Sequence, residues 1–100
     1  MDALVIAATG MRSAERRIAV SAHNVANLRT EDFRPFEAHQ RSLPEGSGSE
    51  VIVRQEDLPR DVDLVDETVE QILASVQFRA SFGAFQIAAD TRGRLFDLFA

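Results

Sequence analysis

The sequence predicts a mostly α fold: two long antiparallel amphipathic helices, packed in the manner of a coiled coil and joined by a short β-hairpin or extended connector. Three observations predict it. Apolar residues recur in alternating steps of three and four over residues 3–28. A similar pattern returns over residues 63–99. Between the two lies a stretch of turn-forming and β-branched residues. The 100 residues form a single domain on this reading, with helices at 3–28 and 63–99 and a connector at 29–62.

The first stripe runs Leu4, Ala7, Met11, Ala14, Ile18, Ser21, Val25 and Leu28, with Arg12, Glu15, Arg16 and Arg17 off the seam. No proline interrupts it, and a helix of this length spans ~39 Å at 1.5 Å per residue. Gly10 costs about 1 kcal/mol relative to alanine inside a helix, which the packing has to offset. Asn27 suits a left-handed C-cap, followed by a turn at Arg29-Thr30-Glu31-Asp32.

Phe33-Arg34-Pro35 forces an extended chain, because the residue before proline avoids the helical region. Residues 36–43 and 50–55 read as strands, the latter carrying Val51, Ile52 and Val53. The Pro-Glu-Gly-Ser-Gly-Ser run at 44–49 is turn material, so a hairpin follows, with a flexible loop as the competing reading.

Seven of the sixteen acids lie between Glu56 and Glu70. Asp63 (or Asp61) suits an N-cap, and Asp66 and Glu67 suit the positive end of a helix. A Ca²⁺ loop would need a ligand spacing and a sharp-turn glycine that are missing here.

The C-terminal helix carries two stripes. One is aliphatic: Val65, Val69, Ile72, Val76, Ala80, Gly83, Ile87, Leu95 and Leu98. The other is Phe78, Phe82, Phe85, Ala89, Arg92, Phe96 and Phe99, which holds five of the seven phenylalanines. The expectation is that the aliphatic stripe packs on the first helix, with Ala7 near Leu95, and that the Phe stripe faces another molecule. A break near Gly83 or Gly93, folding the helix back on itself, is the competing reading.

Composition narrows function. The net charge is −5, and all eleven basic residues are arginines in a chain without a basic stripe, which disfavours nucleic acid and anionic lipid. No apolar run approaches the ~18–20 residues of a membrane span, so no membrane insertion is expected. Asp2 stands where a signal peptide has its basic region. Without cysteine there is no thiol chemistry. His23 and His39 sit on different elements, and no nucleophile elbow, phosphate loop or metal-ligand pair is present. The expectation is a non-enzyme with no catalytic residue, no metal and no cofactor.

The order and spacing of several motifs resemble the bacterial flagellar rod and hook protein family, closest to its short proximal rod proteins. At the N-terminus these are Ala3-Leu4, Gly10-Met11, Ala22-His23-Asn24-Val25-Ala26-Asn27 and Thr30-Glu31-Asp32-Phe33-Arg34. At the C-terminus they are Val62-Asp63-Leu64-Val65, Phe78-Arg79-Ala80-Ser81 (Ser81 standing where the family has Asn), and Ala89-Asp90 with Leu95-Phe96-Asp97-Leu98. The resemblance covers both helices. It implies a structural subunit or accessory of the flagellar basal-body rod, in the periplasm. It also implies partners in copies of itself, other rod proteins and the type III export apparatus, with export needing no cleaved signal.

Asn24 and Asn27 have a physical reading beside the motif. They are poor helix-interior residues, suited to fixing where the helix ends and how it docks. The residues expected at assembly interfaces are therefore Leu4, Met11, Ile18, Val25, Asn24, Asn27, Phe78, Phe82, Phe85, Phe96 and Phe99. A soluble helical adaptor or regulatory module, gripping one partner through its Phe stripe within a closed oligomer, is the alternative function.

Overall fold

The structure, a computed structural model, describes residues 2–99. It is mostly helical, with two helices and a two-stranded antiparallel sheet between them in the chain: α1 (Ala3–Ala26), β1 (Phe36–Ser42), a single 3₁₀ turn (Pro44–Gly46), β2 (Ser49–Gln55) and α2 (Leu64–Phe99). Both helices start where a carboxylate can accept orphan backbone N–H groups. Asp2 accepts from the Leu4 N–H at 2.9 Å, and Asp63 accepts from Val65 and Asp66 at 2.9 and 3.3 Å. Helix α1 ends at Ala26, two residues short of the expected end, which leaves Leu28 outside it and exposed. The Asn27 cap is not left-handed, with φ −100°. Its side chain ends the helix instead, donating to the His23 carbonyl and accepting from the Thr30 hydroxyl. Helix α2 runs unbroken through Gly83 and Gly93.

The helices pack antiparallel, in a register fixed by polar ties along their length. Asp2 pairs with Arg92, Gln77 donates to the Gly10 carbonyl, Arg17 reaches Glu70 and Gln77, and Asn24 reaches Glu67. Ala7 thus falls opposite the 84–85 region and not Leu95, and residues 93–99 extend past the start of α1. The helices come close at Gly10: an added Cβ would overlap the Ser81 hydroxyl and lie 3.2 Å from Ser81 Cβ. At this contact there is room only for a small side chain opposite the glycine. The buried set on the helices is correspondingly small or polar: Ala7, Ser13, Ala14, Ser21 and Asn24 on α1, and Ala74 on α2.

This corrects the expected packing. The aliphatic stripe of α2 does not meet α1, since Val65, Val69, Ile72, Val76 and Ile87 are 49% to 71% exposed. The seam on α2 is Glu67, Gln71, Ala74, Phe78, Ser81, Phe85 and Ala88, in alternating steps of four and three and mostly buried or half-buried. On α1 it is Ala7, Gly10, Ala14, Arg17, Ser21 and Asn24. Leu4, Met11, Ile18 and Val25 flank that seam, half-buried. The physical reason is the close approach at Gly10, which excludes branched side chains.

The hairpin is more than a connector, because it lies along α1. Its register pairs Phe36 with Gln55 through Ser42 with Ser49. Alternation turns Ala38, Val51 and Val53 inward, while the Arg41–Glu50 pair and the His39–Ile52 pair face out. Its turn is fastened to α1: Ser49 N–H donates to Thr9 Oγ1 at 3.1 Å and the Ser13 and Ser49 hydroxyls meet at 3.0 Å. Gly48, at φ +119°, passes so near Thr9 that a Cβ would overlap that hydroxyl.

Asn24 joins all three parts. It is 1% exposed, donates to the Phe36 carbonyl (2.8 Å) and Glu67 Oε1 (3.0 Å), and accepts from the Phe36 N–H (2.9 Å). Asn24→Ala strands both backbone groups of Phe36 and one carboxylate oxygen. It should cost roughly 2–4 kcal/mol in urea unfolding, against under ~1 kcal/mol for the exposed ties of Asn27. Equal costs for the two alanine variants would contradict this placement.

Asp2 makes a pH prediction. Its pKa is lowered from 3.8, first by the hydrogen bond from the Leu4 N–H and then by Arg92. Its contribution is therefore complete above the unfolded-state value and lost as pH falls through the lower folded-state value. An NMR titration should place the Asp2 midpoint below that of an exposed aspartate, and Arg92→Ala should move it back up.

Candidate assembly surface

Helix α2 turns about 100° per residue, so its seam toward α1 leaves the stripe Val65, Val69, Ile72, Val76, Ala80, Gly83 and Ile87 pointing directly away from the rest of the molecule. Leu73, 53% exposed, widens it. Beyond Ala88 every described residue of α2 is exposed, and Leu95, Phe96, Leu98 and Phe99 project past α1.

A second apolar face lies opposite the hairpin. The hairpin covers α1 along Thr9, Ser13 and Asn24, while α1's own Leu4, Met11, Ile18 and Val25 stand on the other flank of the seam. The same periodicity places Phe78, Phe82 and Phe85 on that side of α2. Phe78 and Phe82 stack at 6.5 Å with 7° between their planes. Phe78 and Phe85 are half-buried and Phe82 is 43% exposed, so the Phe stripe belongs partly to the helix pair instead of lying wholly outside it. Phe96 and Phe99 lie apart from these three, on the overhang.

The two asparagines separate. Asn24 is an internal tie and Asn27 a local cap, so neither offers a free amide to a neighbour. His23 packs edge-on against Phe36 at 5.2 Å and near Phe33 at 6.0 Å. Among the described residues no group of three or more His, Asp or Glu could hold a metal ion, and no helix is long and apolar enough to cross a membrane.

Sequence reasoning missed the polar seam. Arg17 Nε donates to Glu70 at 2.7 Å and its Nη1 to Gln77 at 2.5 Å. Ser21 donates to the Glu67 carbonyl at 3.1 Å and accepts from Gln71 at 3.1 Å. The available signal was a second heptad pattern, made of small and polar residues and overshadowed by the larger apolar ones.

The resulting shape is extended, 62 × 24 × 15 Å with a radius of gyration of 17.3 Å, against about 13 Å for a compact 100-residue domain. Its accessible surface is 7147 Å², where a compact monomer of this mass exposes roughly 5,700 Å². Apolar side chains on the outer face of α2 contribute to it, with Val65, Ile72, Val76 and Ile87 each more than half exposed.

Burial predicts opposite behaviour for two kinds of α2 variant. Ile72→Ser should change unfolding free energy by no more than about 0.5 kcal/mol, as an exposed position does. Phe85→Ala, half-buried beside α1, should cost roughly 2 kcal/mol. Urea titrations of dilute protein check both, and a large loss at Ile72 would place the aliphatic stripe back inside.

Compared with known proteins, the chain matches no protein-family model and no curated protein.

Proposed function

We propose that the chain is a structural subunit or accessory of the bacterial flagellar basal-body rod. It assembles with copies of itself and with related rod proteins through the outer faces of its helices, which act as a coiled-coil-like unit. The observation that carries this reading is the inside-out distribution of side chains. Small and polar groups make up the fully buried part of the helix pair, with Phe78 and Phe85 half-buried beside them, and the branched aliphatic stripe of α2 together with Phe82, Phe96 and Phe99 is left for contacts with other chains. The terminal motifs that resemble the rod and hook family support the same reading and supply its specific identity. Asn24 of the Ala22–Asn27 motif ties α1 to both the hairpin and α2, a reason for an asparagine there that does not depend on the family.

Open-ended growth separates this function from that of a soluble adaptor, since a closed oligomer stops at a fixed size. Deleting the gene should abolish swimming and leave incomplete basal bodies in electron micrographs. Normal motility with complete basal bodies would refute the proposal.

Export gives a second test. Most of a helix's stability in a protein comes from tertiary packing, so α1 without its partners is weakly held, which suits passage through a narrow channel before assembly. Residues 1–35 fused to a reporter should be secreted by cells with an active flagellar export apparatus. Reporter retained inside such cells would remove the export part of the reading.

A further inference from the structure

The outer stripe of α2 has a symmetry that the rod reading does not use. Its positions are 65, 69, 72, 76, 80, 83 and 87, in steps of four, three, four, four, three, four, which read the same in both directions about Val76. The residues follow suit. An antiparallel second copy centred on Val76 would set Val65 against Ile87, Val69 against Gly83, Ile72 against Ala80 and Val76 against itself. Each bulky residue of the inner layers then meets a small one. At Gly83 an added Cβ would meet nothing within 4 Å in the single chain, so that space is open to an incoming valine. A parallel, in-register pair would instead oppose Gly83 to Gly83 and Ala80 to Ala80, leaving a hollow, and Ile72 to Ile72, crowding the layer beside it.

Charge favours the same orientation. The segment leading into α2 and its first turns carry Asp61, Asp63, Asp66, Glu67 and Glu70 without a base after Arg60, while the far end is balanced, with Arg92 and Arg94 against Asp90 and Asp97 and Arg92 already paired with Asp2. The antiparallel arrangement sets this acidic start beside the charge-balanced end, with Arg94, on the stripe side of α2, about a turn from the second copy's Asp61, and a parallel one sets acid beside acid. The stripe spans about 33 Å of helix. Burying it from both copies removes on the order of 1,000 Å², the lower bound for a specific interface. Nothing on α1 or the hairpin obstructs it, because the stripe points away from both.

We propose that the free chain forms a two-fold antiparallel dimer through this stripe of α2, with Val76 on the axis. The contact is isologous, so it closes on itself and caps the stripe before any open-ended assembly. The inference goes beyond the rod reading and does not depend on it, since it concerns the purified chain alone.

Because the chain has no cysteine, single substitutions report the geometry directly. Under mild oxidation Val76→Cys should give a disulfide-linked dimer. Val65→Cys alone should stay unlinked but should cross-link to Ile87→Cys when the two variants are mixed. Light scattering across a concentration series should give twice the 11.1 kDa chain mass. Val76→Glu, which sets two carboxylates face to face, should weaken the dimer ~100-fold or more while leaving helix content by circular dichroism unchanged. A wild-type chain that stays monomeric would overturn the proposal. So would Val65→Cys linking to itself as readily as Val76→Cys, which reports a parallel pair. If Val76→Glu loses helix content, the cross-linking pattern alone decides the orientation.

Discussion

Gly10 passes so close to Ser81 that no β-carbon fits between the helices without displacing the serine, and the distribution of side chains follows from that approach. Ala14 and Ala74, each fully buried, serve the same closeness further along. Where two helix backbones approach to this degree, branched residues are displaced to the flanks. Leu4, Met11, Ile18 and Val25 consequently stand beside the seam, and Val65 through Ile87 stand on the far side of α2. The apolar exterior is thus a consequence of the tight interior.

A seam of small residues gains little from burial and specifies register poorly, because alanine surfaces slide past one another at low cost. The polar ties supply what is missing. Arg17 with Glu70 and Gln77, Ser21 with Glu67 and Gln71, and Gln77 with the Gly10 carbonyl each have one correct partner along the axis. Arg17 and Glu70 keep partial solvent contact, at 17% and 34% side-chain exposure, so their attraction is screened and adds little stability. Their contribution is to selectivity: a shift by one heptad would take Asn24 from Glu67 and Arg17 from Glu70 and Gln77 in a semi-buried seam, which costs more than the ties themselves return.

The backbone plan was legible in the sequence and the facing of α2 was not. The start of α2 was readable from its acidic lead-in, where Asp63 was one of two candidate caps and is the one that accepts from Val65 and Asp66. The hairpin was readable from Val51-Ile52-Val53 and the glycine-rich turn, within a residue at each end. The face of α2 was misread because periodicity identifies stripes without saying which partner each one meets. Assigning the aliphatic stripe to the first helix put Val65–Ile87 inside. That assignment assumes that the helix pair buries its aliphatic face, and this chain does not. Gly10 was the residue that could have corrected it: a glycine that weakens an otherwise continuous helix marks close backbone approach, and close approach demands alanine and serine opposite.

The same logic bears on how such a chain is kept in use. A helix pair held by small contacts and partly solvated ion pairs is weakly stable by itself, and the hairpin adds to it chiefly through Asn24, Ser13 and Thr9. The branched side chains left on the outer face of α2 would each contribute about 1.5–3 kcal/mol if another surface buried them. On the assembly proposed above, association and folding would be coupled. Contacts on the outer face of α2 would stiffen the helix that carries Glu67, Glu70 and Gln77, and so strengthen the polar seam behind it. Both effects would run through α2, the element that presents the seam on one side and the branched aliphatic stripe on the other.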